Sequence, residues 1–259
     1  MEIDILGPLR VTGGGRCPVG GTKVRAVLAR LALNTGSVVS CEDLVDELWG
    51  DRPPRHAKNA LQANIARLRR MIEDAGGHAA LQTVDQGYLL DIAPDAVDAN
   101  RFHRLAASGA RCLTDRPQVA VERLDQALRL WRGPALLDAG QGTHCRAAAL
   151  WLNESRVVTQ EDLMAARLAA GDVRAVVSEL ENLIARHPLR ERLYDLLMLA
   201  LYRADRQAEA LEVFHRLRHR LGDDLGLQPA ISLQQRYRAI LDHDPTLAAP
   251  ALALPLRAA

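Results

Sequence analysis

An internal repeat in the second half of the chain constrains the fold more than any other feature of the sequence. The stretch that begins at Leu163 returns at Leu197, an offset of 34 residues. The matching positions are small or apolar: Leu163-Met164 with Leu197-Met198, Ala166 with Ala200, Ala170 with Ala204, Val177 with Leu211, Leu180 with Phe214, and Leu183 with Leu217. Because repeats of this kind bury their apolar faces only against their neighbours, this part is predicted to be a stack of helix pairs.

Residues 98–243 have helical patterning throughout and are rich in alanine and poor in aromatic residues. The repeat length is that of tetratricopeptide-type helix pairs, so an all-α tetratricopeptide-like domain is predicted over this range. His187-Pro188 falls where one pair must turn into the next, since proline interrupts a helix. The tail, residues 244–259, places prolines among alanines and is predicted to be disordered.

Residues 1–97 have a different pattern, in which short strands alternate with helices. Two short strand segments and a glycine-rich turn at residues 13–15 precede a first helix that is predicted to begin near Thr22. A second helix begins after Ser40, which is typical of a helix cap, and Pro53-Pro54 interrupts the chain beyond it.

The third helix of this region is predicted over residues 57–74. It has one apolar stripe at helical spacing, formed by Leu61, Ile65, Leu68 and Ile72. A β-hairpin over residues 81–90 follows it. The order of elements predicts a winged helix-turn-helix with small antiparallel sheets in residues 1–97, and a mostly α-helical protein overall.

The charge pattern points to a nucleic-acid surface on the third helix. The chain has a net charge of only +1, yet the stretch from Arg52 to Ile72 contains no acidic residue. On a helical wheel the face opposite the apolar stripe carries Asn59, Ala63, Ala66 and Arg70, with Gln62 and Arg67 at its sides. Long donors beside small residues suit a helix that enters the major groove of DNA. The alternative is an ordinary solvated helix face.

Several other side chains are candidates for phosphate contacts, each with an equally plain structural reading. Arg52 and Arg55 lie in the proline loop and either bind phosphate or are merely solvated. Lys23 and Arg25 lie at the start of the first helix, where anions are favoured. Tyr88 either packs in the hairpin or reaches a phosphate with its hydroxyl. Trp49 is read as a core residue. The predicted phosphate contacts are Lys23, Arg25, Arg52, Arg55, Lys58, Asn59, Arg69, Arg70 and Tyr88.

No pattern of an enzyme, a cofactor site or a metal site is found in the sequence. Residues 15–23 resemble a phosphate-binding loop, but the lysine and hydroxyl residues are out of place, so a hairpin turn is favoured. His215 and His219 lie one helical turn apart without the expected glutamate or a third ligand. The four cysteines, Cys17, Cys41, Cys112 and Cys145, are scattered, which is typical of free thiols in the cytoplasm.

The sequence also gives no indication of a membrane protein. No apolar run reaches the length of a membrane span, and the acidic start Met1-Glu2-Ile3-Asp4 differs from a signal peptide. A cytoplasmic protein associated with the nucleoid is therefore expected.

Two stretches carry a family resemblance. Leu48-Trp49-Gly50, residues 61–70 and the hairpin from Gln82 to Tyr88 resemble the OmpR/PhoB-type winged-helix domain. The opening Val97-Asp98-Ala99-Asn100-Arg101-Phe102 and the closing stretch Leu225-Gly226-Leu227-Gln228-Pro229 resemble the bacterial transcriptional activator domain. Together they resemble the Streptomyces antibiotic regulatory protein family over nearly the whole chain.

The resemblance implies a pathway-specific activator of secondary-metabolite genes. Such a protein binds direct repeats in double-stranded promoter DNA as a head-to-tail dimer and recruits RNA polymerase holoenzyme. The family places base contacts at Gln62, Ala63 and Arg67, and phosphate contacts near Asn59 and Arg69. The wing here, Asp85-Gln86-Gly87, lacks the arginine of many relatives, and no receiver or ATPase domain is expected.

A second class of function stays open at this point. The helical repeat could be the working part of a protein-interaction scaffold, with the winged helix only as a docking module. Salt-dependent binding to promoter DNA distinguishes the two.

Overall fold

The computed structural model describes residues 1–13, 16–17, 19–85, 87–139 and 142–248. Its contacts divide the chain into two compact units. Unit 1 contains Met1–Ala107 and Asp125–Thr159, and unit 2 contains Ser108–Leu124 and the chain from Gln160 onward. The domain boundary that the sequence analysis places after residue 97 stays a prediction. The compact units show that part of the predicted second module packs with the first.

Unit 1 begins with a three-stranded antiparallel sheet, β1 (Glu2–Asp4), β2 (Arg10–Thr12) and β3 (Arg16–Cys17), in that order. Ile3 pairs with Val11, and both side chains are fully buried. Gly14, Gly15 and Pro18, which belong to the predicted hairpin turn, lie outside the described residues.

The predicted winged helix-turn-helix is confirmed. Its elements are α1 (Thr22–Ala32), β4 (Val38–Ser40), α2 (Cys41–Trp49), α3 (Ala57–Asp74), β5 (Leu81–Val84) and β6 (Gly87–Leu90). The second sheet has the order β4-β6-β5, and all its pairs are antiparallel. The hydroxyl of Ser40 caps α2 by accepting from the amide of Asp43 at 3.0 Å. The four apolar residues of the α3 stripe are at most 2% exposed.

The chain that follows β1 is fixed by residues far away in the sequence. Helix α4 (Asp98–Ala110) starts with Asp98, which is 1% exposed. Its carboxylate accepts hydrogen bonds from the amides of Ile5 at 2.7 Å and Leu6 at 3.0 Å. Burial raises the pKa of this carboxyl, while the two amides and Arg132 oppose the shift. The Asp98 carboxylate therefore satisfies two buried donors that lie outside any sheet.

The loop before the sixth helix completes this arrangement within unit 1. The amides of Arg132 and Leu136 each donate at 2.8 Å, to the carbonyls of Leu6 and Ile5. In return the amide of Leu9 donates to Oδ1 of Asp138 at 2.7 Å. The N-terminal segment is thus hydrogen-bonded to residues 131–139 much as a strand is to its neighbours.

Unit 2 takes its core from helices α7 (Val173–Arg186), α8 (Glu191–Arg203), α9 (Gln207–Leu225) and α10 (Ile231–Leu241). Three helices contribute residues to both units: α4, α5 (Pro117–Leu128) and α6 (Thr143–Ala169). Repeat partners such as Ala166 and Ala200 are both fully buried, so the predicted helical repeat is confirmed. Among the described residues, no helix combines the length and apolar character needed to span a bilayer.

The predicted tail needs a correction at its start. Residues 245–247 form a 3₁₀ turn, Pro245–Leu247, in which Leu247 is 4% exposed. Arg203 donates from Nε to the carbonyl of Leu247 at 3.0 Å, so burial and a hydrogen bond order this stretch. Residues 249–259 of the predicted tail lie outside the described residues.

A substitution at Asp98 tests the hydrogen bonds to the N-terminal segment. We expect Asp98→Ala to lower the free energy of unfolding by about 2–6 kcal/mol, because two buried amides lose a charged acceptor at roughly 1–3 kcal/mol each. Asp95→Ala is the matched control, because Asp95 forms an exposed ion pair with Arg104 and should change stability by about 1 kcal/mol or less. Urea denaturation measures both. Equal losses for the two variants would contradict the role given to Asp98.

Candidate nucleic-acid interface

The outward face of α3 is open to solvent over its full length. Asn59, Gln62, Ala63, Ala66, Arg67 and Arg70 are all exposed, opposite the buried apolar stripe. Among the described residues, no salt bridge joins Arg67 or Arg70 to a carboxylate. The exposed side of α3 is thus the side that the helical wheel predicts, and the guanidinium groups of Arg67 and Arg70 are available to an external anion.

A basic loop lies at the N-terminal end of α3. Arg52 and Arg55 are exposed, as is Lys58 in the first turn of the helix. Between this loop and α2 lies a groove of about 500 Å³. Its walls combine cations with the carboxylates of Glu42 and Asp46 on α2. An extended anionic backbone is therefore favoured along α3 and the loop, and disfavoured over α2.

His56 belongs to this groove and was missed in the sequence analysis. It is exposed and precedes the first residue of α3. Its position in the sequence could have indicated this location, because His56 lies between Arg55 and the predicted start of the helix.

Two of the predicted phosphate ligands in α1 are engaged within unit 1. Arg25 donates from Nη1 to Oδ2 of Asp138 at 2.6 Å and from Nε to the carbonyl of Val19 at 2.8 Å. Lys23 donates from Nζ to the carbonyl of Leu48, and its ammonium lies 5.1 Å from the ring centroid of Trp49. Lys23 thus satisfies a carbonyl in the last turn of α2, where a cation is favourable.

Two further predicted phosphate ligands are held by the wing. Arg69 donates from Nη2 to the hydroxyl of Thr83 at 2.5 Å and from Nε to the carbonyl of Leu81 at 3.4 Å. Tyr88 pairs with Val39 in the second sheet and is 6% exposed. Burial, followed by the neighbouring Cys41, raises the pKa of the Tyr88 hydroxyl. The packing reading of Tyr88 is thus the one that the structure favours.

The described residues contain no group of three or more His, Cys, Asp or Glu side chains placed to hold a metal ion. The wing tip carries Asp85, with a φ of 43°, and Gln86 lies outside the described residues. Among the described residues of the stretch 19–90, the exposed cations that no hydrogen bond or ion pair engages lie on α3 and in the loop before it.

Comparison with known proteins agrees with this geometry. Residues 19–90 match the family "Transcriptional regulatory protein, C terminal", and residues 97–241 match the "Bacterial transcriptional activator domain". The chain is 47% identical to Transcriptional regulator RedD of Streptomyces coelicolor, over 96% of this chain and 73% of that protein. It is 40% identical to Regulatory protein DnrI of Streptomyces peucetius, over 95% of this chain and 93% of that protein.

A solved structure shares the same architecture. Mycobacterium tuberculosis EmbR, in complex with a low affinity phosphopeptide, superposes with a TM-score of 0.89 at 34% sequence identity. The match covers 97% of this chain and 66% of the EmbR chain. These relatives are transcriptional regulators rather than enzymes. With both domain families and near full-length relatives in agreement, this chain belongs to the Streptomyces antibiotic regulatory protein family, whose members join an OmpR/PhoB-type winged helix to a bacterial transcriptional activator domain.

Proposed function

We propose that the protein activates transcription by binding promoter DNA with α3 in the major groove. The observation that carries this proposal is the exposed face of α3 from Asn59 to Arg70, which offers amide, small and guanidinium side chains and no carboxylate. The exposed carboxylates of Glu73 and Asp74 follow only in the last turn of the helix. Gln62, Ala63 and Arg67 are assigned to the bases. An arginine fork pairs with guanine, an amide with adenine, and an alanine methyl packs on thymine.

The phosphate contacts are assigned to the cations that flank this face. Arg52, Arg55, Lys58 and Arg70 are exposed and lie along α3 or in the loop before it, and Asn59 adds an amide donor. Lys23, Arg25, Arg69 and Tyr88 are left out of this assignment, because each is held by hydrogen bonds or by burial within unit 1.

Family membership supports the finer features of the proposal. The target is a secondary-metabolite gene cluster, whose promoters carry direct repeats, and the bound protein recruits RNA polymerase holoenzyme. A protein that acts on promoters works in the cytoplasm, at the nucleoid. Direct repeats call for two protomers arranged head to tail, because such a pair uses two different surfaces and reads both sites in one direction.

The salt dependence of DNA binding tests the electrostatic part of the proposal. We expect log affinity to fall with log salt concentration at a slope of about −4 for one protomer, since four phosphate-facing cations each displace roughly 0.9 counterion. Fluorescence anisotropy with a duplex selected by the protein from a random pool measures the slope. A slope near zero would favour the scaffold function instead.

Base reading is tested by two substitutions on α3. Arg67→Ala and Gln62→Ala should each lose about 1–3 kcal/mol of binding free energy at the preferred site and relax its sequence preference. Arg55→Ala is the matched control, since loss of a phosphate contact weakens specific and random duplexes alike. If Arg67→Ala has the same uniform effect, Arg67 does not read bases.

The spacing of half-sites tests the head-to-tail arrangement. Two protomers on one face of the duplex require half-sites about one helical turn apart, so an insertion of about five base pairs should abolish cooperativity. Quantitative footprinting on direct repeats measures this, with an inverted repeat as the control. Cooperative binding that survives the insertion, or a preference for the inverted repeat, contradicts the arrangement.

A further inference from the structure

Helix α6 begins in unit 1 without a side-chain cap of its own. The carbonyl of Gly142 accepts from the amide of Arg146 at 3.0 Å, which places Gly142 at the N-cap position. A capping residue normally offers a side-chain oxygen to the amides two and three residues on. Glycine has no side chain, so the first amides of α6 need an acceptor from another element.

Glu47 of α2 supplies that acceptor. Its Oε2 accepts from the amide of His144 at 3.0 Å and from the amide of Cys145 at 3.3 Å. These are the second and third residues of α6, the positions that a cap normally serves. The carboxylate is also an anion at the positive end of a 27-residue helix, which is the favourable orientation. A side chain of the helix-turn-helix therefore caps a helix that starts 96 residues later, counting from Glu47 to Thr143.

The contact is tight and buried. A Cβ on Gly142 would overlap both the carboxylate and the backbone oxygen of Glu47. Glu47 is 3% exposed and the Cys145 thiol is fully buried. Burial, followed by the adjacent Glu47 carboxylate, raises the pKa of this thiol. The other carboxylate oxygen of Glu47, Oε1, is buried and accepts no hydrogen bond from the described residues. The charge of Glu47 thus depends on the end of α6 for its stabilisation.

The contact connects the helix that supports α3 to residues of the activator domain. Helix α2 packs against α1 and α3, and α3 carries the proposed DNA face. His144 and Cys145 lie within the residues matched by the activator-domain family. Residues of the activator-domain sequence therefore hold the helix that supports the DNA-reading helix.

We propose that Glu47 and the N terminus of α6 form a positioning contact for DNA binding, which holds α2 so that α3 is presented to the major groove. The inference rests on the proposed function, because it requires α3 to bind DNA. The inference adds to the proposed function that the free energy of this contact and the free energy of DNA binding are thermodynamically coupled. Such coupling is reciprocal, so that a loosened contact weakens DNA binding and bound DNA tightens the contact.

The test uses the full chain and a duplex selected by the wild-type protein from a random pool. Gly142→Ala pushes the end of α6 away from α2 and leaves every DNA-facing side chain in place. Glu47→Gln keeps an acceptor oxygen but removes the charge. We expect Gly142→Ala to weaken DNA binding roughly tenfold, at the low end of the usual range for coupled sites, and Glu47→Gln to weaken it less. Glu122→Gln, which removes an exposed carboxylate on α5, is the control and should bind as the wild type does.

Hydrogen exchange in the wild-type protein distinguishes positioning from simple stabilisation. In the wild-type protein, bound DNA should slow hydrogen exchange at the His144 and Cys145 amides more than at the Ile5 and Leu6 amides, which lie in the same unit and are bonded to Asp98. Maleimide labelling of the Cys145 thiol gives an independent measure. We expect bound DNA to lower the labelling rate and the Gly142→Ala substitution to raise it.

The outcomes separate this inference from the proposed function. If the wild type binds DNA but folded Gly142→Ala and Glu47→Gln bind equally well, the positioning contact is refuted and DNA binding stands. Uniform slowing of exchange at all four amides also refutes it, even where Gly142→Ala does not fold. If the wild type binds no duplex, the proposed function is refuted.

Discussion

The carboxylate of Asp98 is the interaction on which unit 1 depends. The chain between β1 and β2 runs through the interior, where Ile5 and Leu6 are fully buried, and its backbone groups have no partner in either sheet. Asp98 accepts from both amides, and the backbone of residues 132–136 donates to the two carbonyls. A buried peptide group without a partner costs about as much as a lost hydrogen bond, so this segment can be buried only if the distant residues are present. The winged helix of this protein is therefore completed by chain that belongs, by sequence, to the activator domain.

The elements with a strong periodic signal could be predicted from the sequence. The α3 stripe and the repeat from Leu163 to Leu217 each place apolar residues at helical spacing over several turns, and the structure buries the stripe and most of the repeat positions. The Asp98 contact has no such signal. It joins residues 93 positions apart through one acidic side chain, and an isolated aspartate at a helix start looks the same whether it is solvated or buried. The compact units could not be predicted for the same reason, since they depend on contacts between residues that are far apart in the sequence.

The candidate site shows the same division. The composition of the α3 face follows from the wheel, because the buried stripe fixes which residues point outward. The wheel does not show which cations are engaged in hydrogen bonds within the protein. Arg25 and Arg69 are long and flexible, and each reaches an acceptor within unit 1 that the sequence does not indicate. Glu47 is the converse case. Helix α2 is rich in acids, and nothing local indicates that Glu47 alone is buried, because that depends on the missing side chain of Gly142.

The two long-range contacts of unit 1 differ in what they require of the residues they join. Asp98 binds main-chain amides, which every residue except proline possesses, so the contact itself requires no particular side chain at positions 5 and 6, where burial alone demands apolar residues. Glu47 requires a specific partner, because only glycine fits at position 142. A hybrid regulator that keeps Glu47 of this chain but takes from another protein a residue with a side chain at position 142 would lose the second contact. The glutamate and the glycine therefore have to be exchanged together, although they lie 95 positions apart in the sequence.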